Sequence, residues 1–126
     1  MSFSNYLETK VLDHVFGATA YTAPATLYIG LYTATPNDAG GGTEVSGTAY
    51  ERQSAAFTTS GDTTSNDAAI EFPTAGSNWG TVTHVGVFDA STSGNLLAYG
   101  TLSTSKLVES GDVFRIPAGD LDISLD

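Results

Sequence analysis

Apolar residues recur at helical spacing over the first sixteen positions and at alternate positions over much of the remaining chain. Phe3, Tyr6, Leu7, Val11, Val15 and Phe16 share one face of a 3.6-residue period, with Ser4, Glu8, Asp13 and His14 largely elsewhere. Ser2 or Ser4 is placed to cap the start, and Gly17 stands where a C′ glycine ends a helix. The pattern predicts an amphipathic helix or arm over 1–17. Two placements are open to it: folded onto the body's own core, or docked through its aromatic stripe on a neighbouring subunit.

After Pro24 the period drops to 2. Along 26–32, Leu27, Ile29 and Leu31 point one way and the tyrosines, Tyr28 and Tyr32, the other. Further strands are expected over 50–57, 68–72, 81–88, 96–102, 112–116 and 121–125. In the last of these Leu121, Ile123 and Leu125 alternate with Asp122, Ser124 and Asp126. Turn chemistry separates them: a long flexible loop over 36–42, then Ser60-Gly61-Asp62, Ser93-Gly94-Asn95, Ser110-Gly111-Asp112 and Pro117-Ala118-Gly119-Asp120. About seven short strands without intervening helices imply a mainly β chain. The expected fold is one antiparallel β-sandwich over 18–126, jelly-roll-like, carrying the N-terminal helix as a prefix.

Composition narrows the class. Only 14% of the 126 residues are charged, against roughly 25% in an average soluble domain, while 40% are apolar. Such a chain folds, and its weakly hydrated surface is easily covered by a partner. Its 14 acids oppose four bases, Lys10, Arg52, Lys106 and Arg115, for a net charge of −10. The bases form no cluster along the sequence, which argues against direct nucleic-acid binding and against anionic membranes. Cysteine is absent, so disulfides, thiolate metal sites and a Cys nucleophile are excluded. No signal-peptide core or membrane-length apolar run is readable, so assembly in the cytoplasm is expected.

No reactive cluster emerges. Ser, His and Asp are present without a Gly-x-Ser-x-Gly elbow, and His14 and His84 read as helix-end and sheet residues. Asp120, Asp122 and Asp126 could pair as in a glycosidase, but alternation puts them on a solvated strand face. Asn37, Asp38 and Glu44 offer oxygen ligands without EF-hand spacing, and Gly40-Gly41-Gly42 lacks the lysine and helix of a phosphate loop. Catalytic residues, cofactors and metals are therefore expected to be none. Arg52 stands out, sharing a strand face with Tyr50 and Ser54. It is either an exposed solubilising charge or one half of a bidentate carboxylate pair that fixes how two sheets or subunits meet.

The run from Leu27-Tyr28-Ile29-Gly30-Leu31-Tyr32 through Pro36-Asn37-Asp38 to Thr43-Glu44-Val45, then Gly47-Thr48-Ala49-Tyr50-Glu51-Arg52, resembles a group of short structural proteins of tailed bacteriophages. Gly80-Thr81-Val82-Thr83-His84-Val85-Gly86-Val87-Phe88-Asp89 and Asn95-Leu96-Leu97-Ala98-Tyr99-Gly100 belong to the same pattern, so the likeness spans most of the chain. It implies a virion component, either a head decoration (cement) protein or a tail-fibre-like protein, with no catalytic residue carried over. A decoration protein would form trimers on the outer capsid surface, bridge capsomers and bind the major capsid protein. No fibrous or attachment segment is readable beside the sandwich, so decoration is the first expectation. Phe3, Tyr6, Leu7, Val11 and Arg52 are the expected interface residues. The alternative is a tail-tip module that recognises a host glycan through an exposed aromatic, Trp79, Tyr28 or Tyr32.

Overall fold

Ser4 decides where the helix begins. Its hydroxyl accepts the Leu7 N–H at 3.2 Å and donates to the Leu96 carbonyl at 2.5 Å, capping the helix while fastening it to the sheet. In the computed structural model, which describes residues 1–125, a short strand β1 (Ser2–Phe3) leads into helix α1 (Asn5–Phe16). Gly17 closes α1, its N–H donating to the Asp13 carbonyl. The chain then forms β2 (Leu27–Ala34), β3 (Thr43–Glu44), β4 (Gln53–Ala55), β5 (Phe57–Ser60) and β6 (Thr63–Asn66). It continues through β7 (Ile70–Glu71), β8 (Gly80–Phe88), β9 (Leu96–Val108), β10 (Arg115–Ile116) and β11 (Asp122–Ser124).

Every pairing is antiparallel. The main six-stranded sheet runs β1-β9-β8-β2-β3, with β4 on the same side of β2 as β3. A three-stranded sheet β11-β6-β5 and a two-stranded one, β10-β7, complete the fold. The inner face of the main sheet supplies Ile29, Leu31, Val85, Val87 and Ala98; opposite them lie Ile70, Phe72, Phe114, Ile116 and Leu121 in one continuous core. The protein is therefore mainly β, sandwich-like and led by one helix, as expected. The partition into six, three and two strands differs from the eight strands in two sheets of a jelly roll.

The outer face of the main sheet is not simply solvated. Tyr32, Phe88 and Leu96 form a second buried cluster there, with Tyr28 and Tyr99 packed against it. A cross-strand pair of glycines, Gly30 and Gly86, makes it fit. A Cβ at Gly86 would come within 2.9 Å of both Leu96 and Tyr32, and one at Gly30 within 2.7 Å of the Glu44 carboxylate. Only hydrogen at both positions leaves room for the ring of Phe88 and what lies over it.

Candidate functional site

β3 and β4 both lie along β2 but cover different parts of it, Tyr32–Ala34 and Leu27–Ile29, and leave a gap at Leu31. Tyr50 fills it. Its hydroxyl accepts the Leu31 N–H at 2.9 Å and donates to Glu44 Oε2 at 2.7 Å, while the Val45 N–H donates to the Leu31 carbonyl. Arg52 then meets Glu44 side-on: Nε donates to Oε2 at 2.9 Å and Nη2 to Oε1 at 2.8 Å. Its Nη1 donates to the carbonyls of Ala90 and Ser93, in the β8–β9 connection. The guanidinium lies 3.5 Å from the centroid of the Phe88 ring. The Arg52 side chain is 9% exposed and that of Glu44 25%.

This knot has electrostatic consequences. Burial, then the hydrogen bond to Glu44, pushes the Tyr50 hydroxyl far above the ordinary tyrosine range. Burial, then the charge of Glu44, pushes Tyr32 up to about 12, with Arg52 opposing. Burial works against the charge on Arg52, and pairing with Glu44 more than offsets it. Arg52 thus makes the bidentate pair, and makes it inside the chain, joining β3, β4 and the β8–β9 connection. It is not an exposed charge.

The other expected interface residues are partly spent on the protein's own body. Phe3 packs against the core; Tyr6, Leu7 and Val11 are half buried. Tyr6 meets the Tyr21 ring edge-on at 6.5 Å, and Lys10 Nζ lies 5.6 Å from the Tyr6 centroid. The free apolar surface is one turn further on. Leu12, Val15 and Phe16 are 58%, 61% and 81% exposed, and their i, i+3, i+4 spacing makes one stripe. An opening of about 910 Å³ runs beside β9 and is bordered across by residues 114–117 and 119–122.

A family model described as podophage GP4 fiber I protein gp80 matches residues 2–124. The chain belongs to that family. No curated protein matches it. Membership in this podophage fibre-protein family bears out the expected phage structural class, and the match takes in helix and sheets alike.

Against that background, the residues with chemical potential are dispersed. His14 Nδ1 accepts the Tyr21 N–H at 3.1 Å, and His84 Nδ1 lies 2.8 Å from Thr83 Oγ1. Asp120 and Asp122 are exposed; Ser65 donates to Asp122, and Asp126 lies outside the described residues. The expected oxygen ligands diverge: Asn37 Oδ1 accepts the Ala39 N–H, Asp38 accepts from the Tyr99 hydroxyl, and Glu44 holds Arg52. The 36–42 loop is accordingly tied down, since Asp38 also accepts the Asn5 N–H through its carbonyl. Among the described residues no group of three or more His, Asp or Glu could hold a metal ion. No helix described is long and apolar enough to cross a membrane.

Two of the aromatic residues expected to greet a glycan are corrected by the structure. Trp79 is only 5% exposed, its Nε1–H donating to the Thr48 carbonyl and its ring meeting Tyr50 edge-on. Tyr32 is buried against Phe88, and Tyr28 is half buried. Sequence reasoning placed Val15 and Phe16 on the apolar stripe but left Leu12 out. Its signal was present, three residues before Val15 and four before Phe16.

Proposed function

We propose that this chain is a non-enzymatic structural subunit of a podophage fibre apparatus, acting by surface fit with copies of itself and neighbouring particle proteins. The supporting observation is the family match over residues 2–124, which carries a fibre protein's description. The outer stripe of α1 supports the mode of action, because a helix anchored by its first turn holds Leu12, Val15 and Phe16 toward solvent. A threefold homo-oligomer is the assembly proposed, with the stripe as its seam. The test is immunogold labelling of intact particles with antibody against the purified chain. Label confined to the tail and its fibres is expected.

Even label over the head would replace this reading by capsid decoration. The net charge of −10 favours that second reading, since an acidic subunit can coat a nucleic-acid container without adhering to its contents. Truncating the first sixteen residues, the obvious test of the helix, also removes β1 and the buried Ser4 and so disturbs the main sheet. Substitutions at Leu12, Val15 and Phe16 separate docking from folding.

A further inference from the structure

Tyr32 carries a hydroxyl that the fold does not use. The residue is only 4% exposed, yet among the described residues its oxygen makes no hydrogen bond, while every fully enclosed side-chain polar atom has one. What stays open on Tyr32 is therefore its hydroxyl, and the residue borders a hollow of about 450 Å³ over the outer face of the main sheet. Burial, then the charge of Glu44, raises its pKa to about 12, so the phenol keeps its proton and remains a donor. A fixed polar atom in the wall of a hollow is a point of recognition for a guest.

Tyr32, Phe88 and Leu96, the buried outer cluster, make the apolar floor of the hollow. Its rim comes from the start of α1 at Asn5 and Tyr6, from Asp38–Gly40, and from Ser93–Asn95 in the β8–β9 connection. These segments are fastened: the Asn5 N–H donates to the Asp38 carbonyl, Tyr99 donates to the Asp38 carboxylate, and Arg52 donates to the Ser93 carbonyl. Their remaining polar atoms are unspent. Among the described residues the side chains of Asn5, Tyr6 and Ser93 make no hydrogen bond, and the Asn95 amide donates to Asp89 while its oxygen accepts nothing.

The charges select a neutral guest. Arg52 spends Nε and Nη2 on Glu44 and Nη1 on Ala90 and Ser93, and Asp38 on the rim repels an anion. A cation would meet the Arg52 guanidinium in the wall and Lys10 over Tyr6. A wholly apolar guest would strand the Tyr32 hydroxyl. A ring with C–H faces and hydroxyl edges meets both demands, since its face lies on the floor. Each hydroxyl also donates and accepts, as a rim mixing Asp38 and Asn95 oxygens with tyrosine and asparagine donors requires.

We infer that this hollow binds one neutral pyranose unit of a glycan, with Tyr32 donating to one ring hydroxyl and Asp38 accepting from another. Tyr32 acts here through its oxygen and not as an exposed ring. The inference stands apart from the fibre reading, which particle labelling tests separately.

The experiment is amide NMR of the full chain titrated with the methyl pyranosides of glucose, galactose and mannose, whose anomeric oxygen is blocked as in a glycan. At least one should shift the amides of Tyr6, Ala39, Gly40, Gly94 and Asn95 and saturate with a Kd of about 1 mM, the strength expected of so small a ligand. Tyr32→Phe should weaken that binding about fivefold, the loss of one hydrogen bond, and leave Tm unchanged because the hydroxyl supports nothing in the fold. The methyl glycosides of glucuronic acid and glucosamine should bind more weakly than the neutral one. No saturable shift of these amides by any of the three neutral glycosides at about 50 mM overturns the inference. So does undiminished binding by Tyr32→Phe, tighter binding of a charged glycoside, or the same shifts from glycerol at equal concentration. Binding of the free sugar alone, with none of its methyl glycoside, would overturn it as a glycan site.

Discussion

Replacing Arg52 by alanine removes two charge-assisted bonds to Glu44, two to main-chain carbonyls, and the cation over Phe88. Breaking a fully buried pair costs about 3–5 kcal/mol. Glu44 keeps the Tyr50 hydroxyl and is 25% exposed, so water recovers part of its solvation. About 2–4 kcal/mol is the expected loss once that recovery is discounted. In a domain of 126 residues, 1 kcal/mol corresponds to about 4 °C in Tm, so Arg52→Ala should melt roughly 8–16 °C lower.

Circular dichroism melts of Arg52→Ala, Glu44→Gln and the double variant would apportion the loss. A coupling of at least about 1 kcal/mol is expected, because the two side chains share a bidentate contact. Arg52→Lys should recover less than half the stability, since a single ammonium cannot reach Glu44, Ala90 and Ser93 together. Full rescue by lysine, additive single variants, or a loss under about 4 °C for Arg52→Ala would refute the reasoning.

Other parts of the fold make separate predictions. Ser4→Ala should cost about 1–2 kcal/mol by chemical denaturation, because one hydroxyl serves both the helix cap and the Leu96 carbonyl. Phe72→Ala, at a fully buried ring between Tyr50 and Phe114, should cost about 3–5 kcal/mol in the same assay. Leu12→Ser, Val15→Ser and Phe16→Ser combined should leave the melting curve within about 0.5 kcal/mol, yet remove the chain from purified particles. Retention at normal copy number would end the seam assignment. Tyr32 has its pKa raised from 10 to about 12 in the folded chain, so the neutral phenol's stabilisation is complete below pH 10 and lost as pH climbs toward 12. Tyrosinate absorbance during an alkaline titration should therefore lag for this residue until the protein unfolds.

The elements readable in advance are those whose local signals agree with their surroundings. α1 has its cap at Ser4 and its stop at Gly17, and β2 alternates Leu27, Ile29 and Leu31 with Tyr28 and Tyr32, although Ile29–Tyr32 and Val85–Phe88 are buried on both faces. β3 and β6 escaped because Thr43–Glu44 is two residues long and Thr63–Asn66 is wholly polar; pairing, not hydrophobicity, makes them strands. The far half of β9 escaped for a related reason, since Ser103-Thr104-Ser105-Lys106 shows no period at all. Trp79 looked exposed because serine, asparagine and glycine surround it, whereas its ring is clasped by Thr48 and Tyr50 from a distant part of the chain. The acid-pairing potential of Arg52 was legible. Its partner was not, because Glu44 lies eight residues away across a turn that sequence periodicity does not encode.

A subunit that works by surface fit must be sticky enough to assemble and not so sticky that it aggregates alone. The exposed parts of Leu12, Val15 and Phe16 amount to roughly 400 Å² of apolar surface, taking each residue at about 200 Å². That is half of the roughly 800 Å² per partner in a standard interface. At about 25 cal/mol/Å² the roughly 800 Å² lost by two copies together gives an upper bound of about 20 kcal/mol. Lost translational and rotational freedom costs about 4–15 kcal/mol, and side-chain ordering and imperfectly paired polar groups cost more, so a contact of half the standard area holds two free copies weakly. Repetition changes the balance, because once one contact is made in a ring the next is effectively intramolecular. A net charge of −10 works against contact between free copies, a cost that the repeated contacts of the proposed ring would have to outweigh. On the proposed reading, the low charge density and the half-docked helix serve one requirement, that binding be weak singly and firm in the particle.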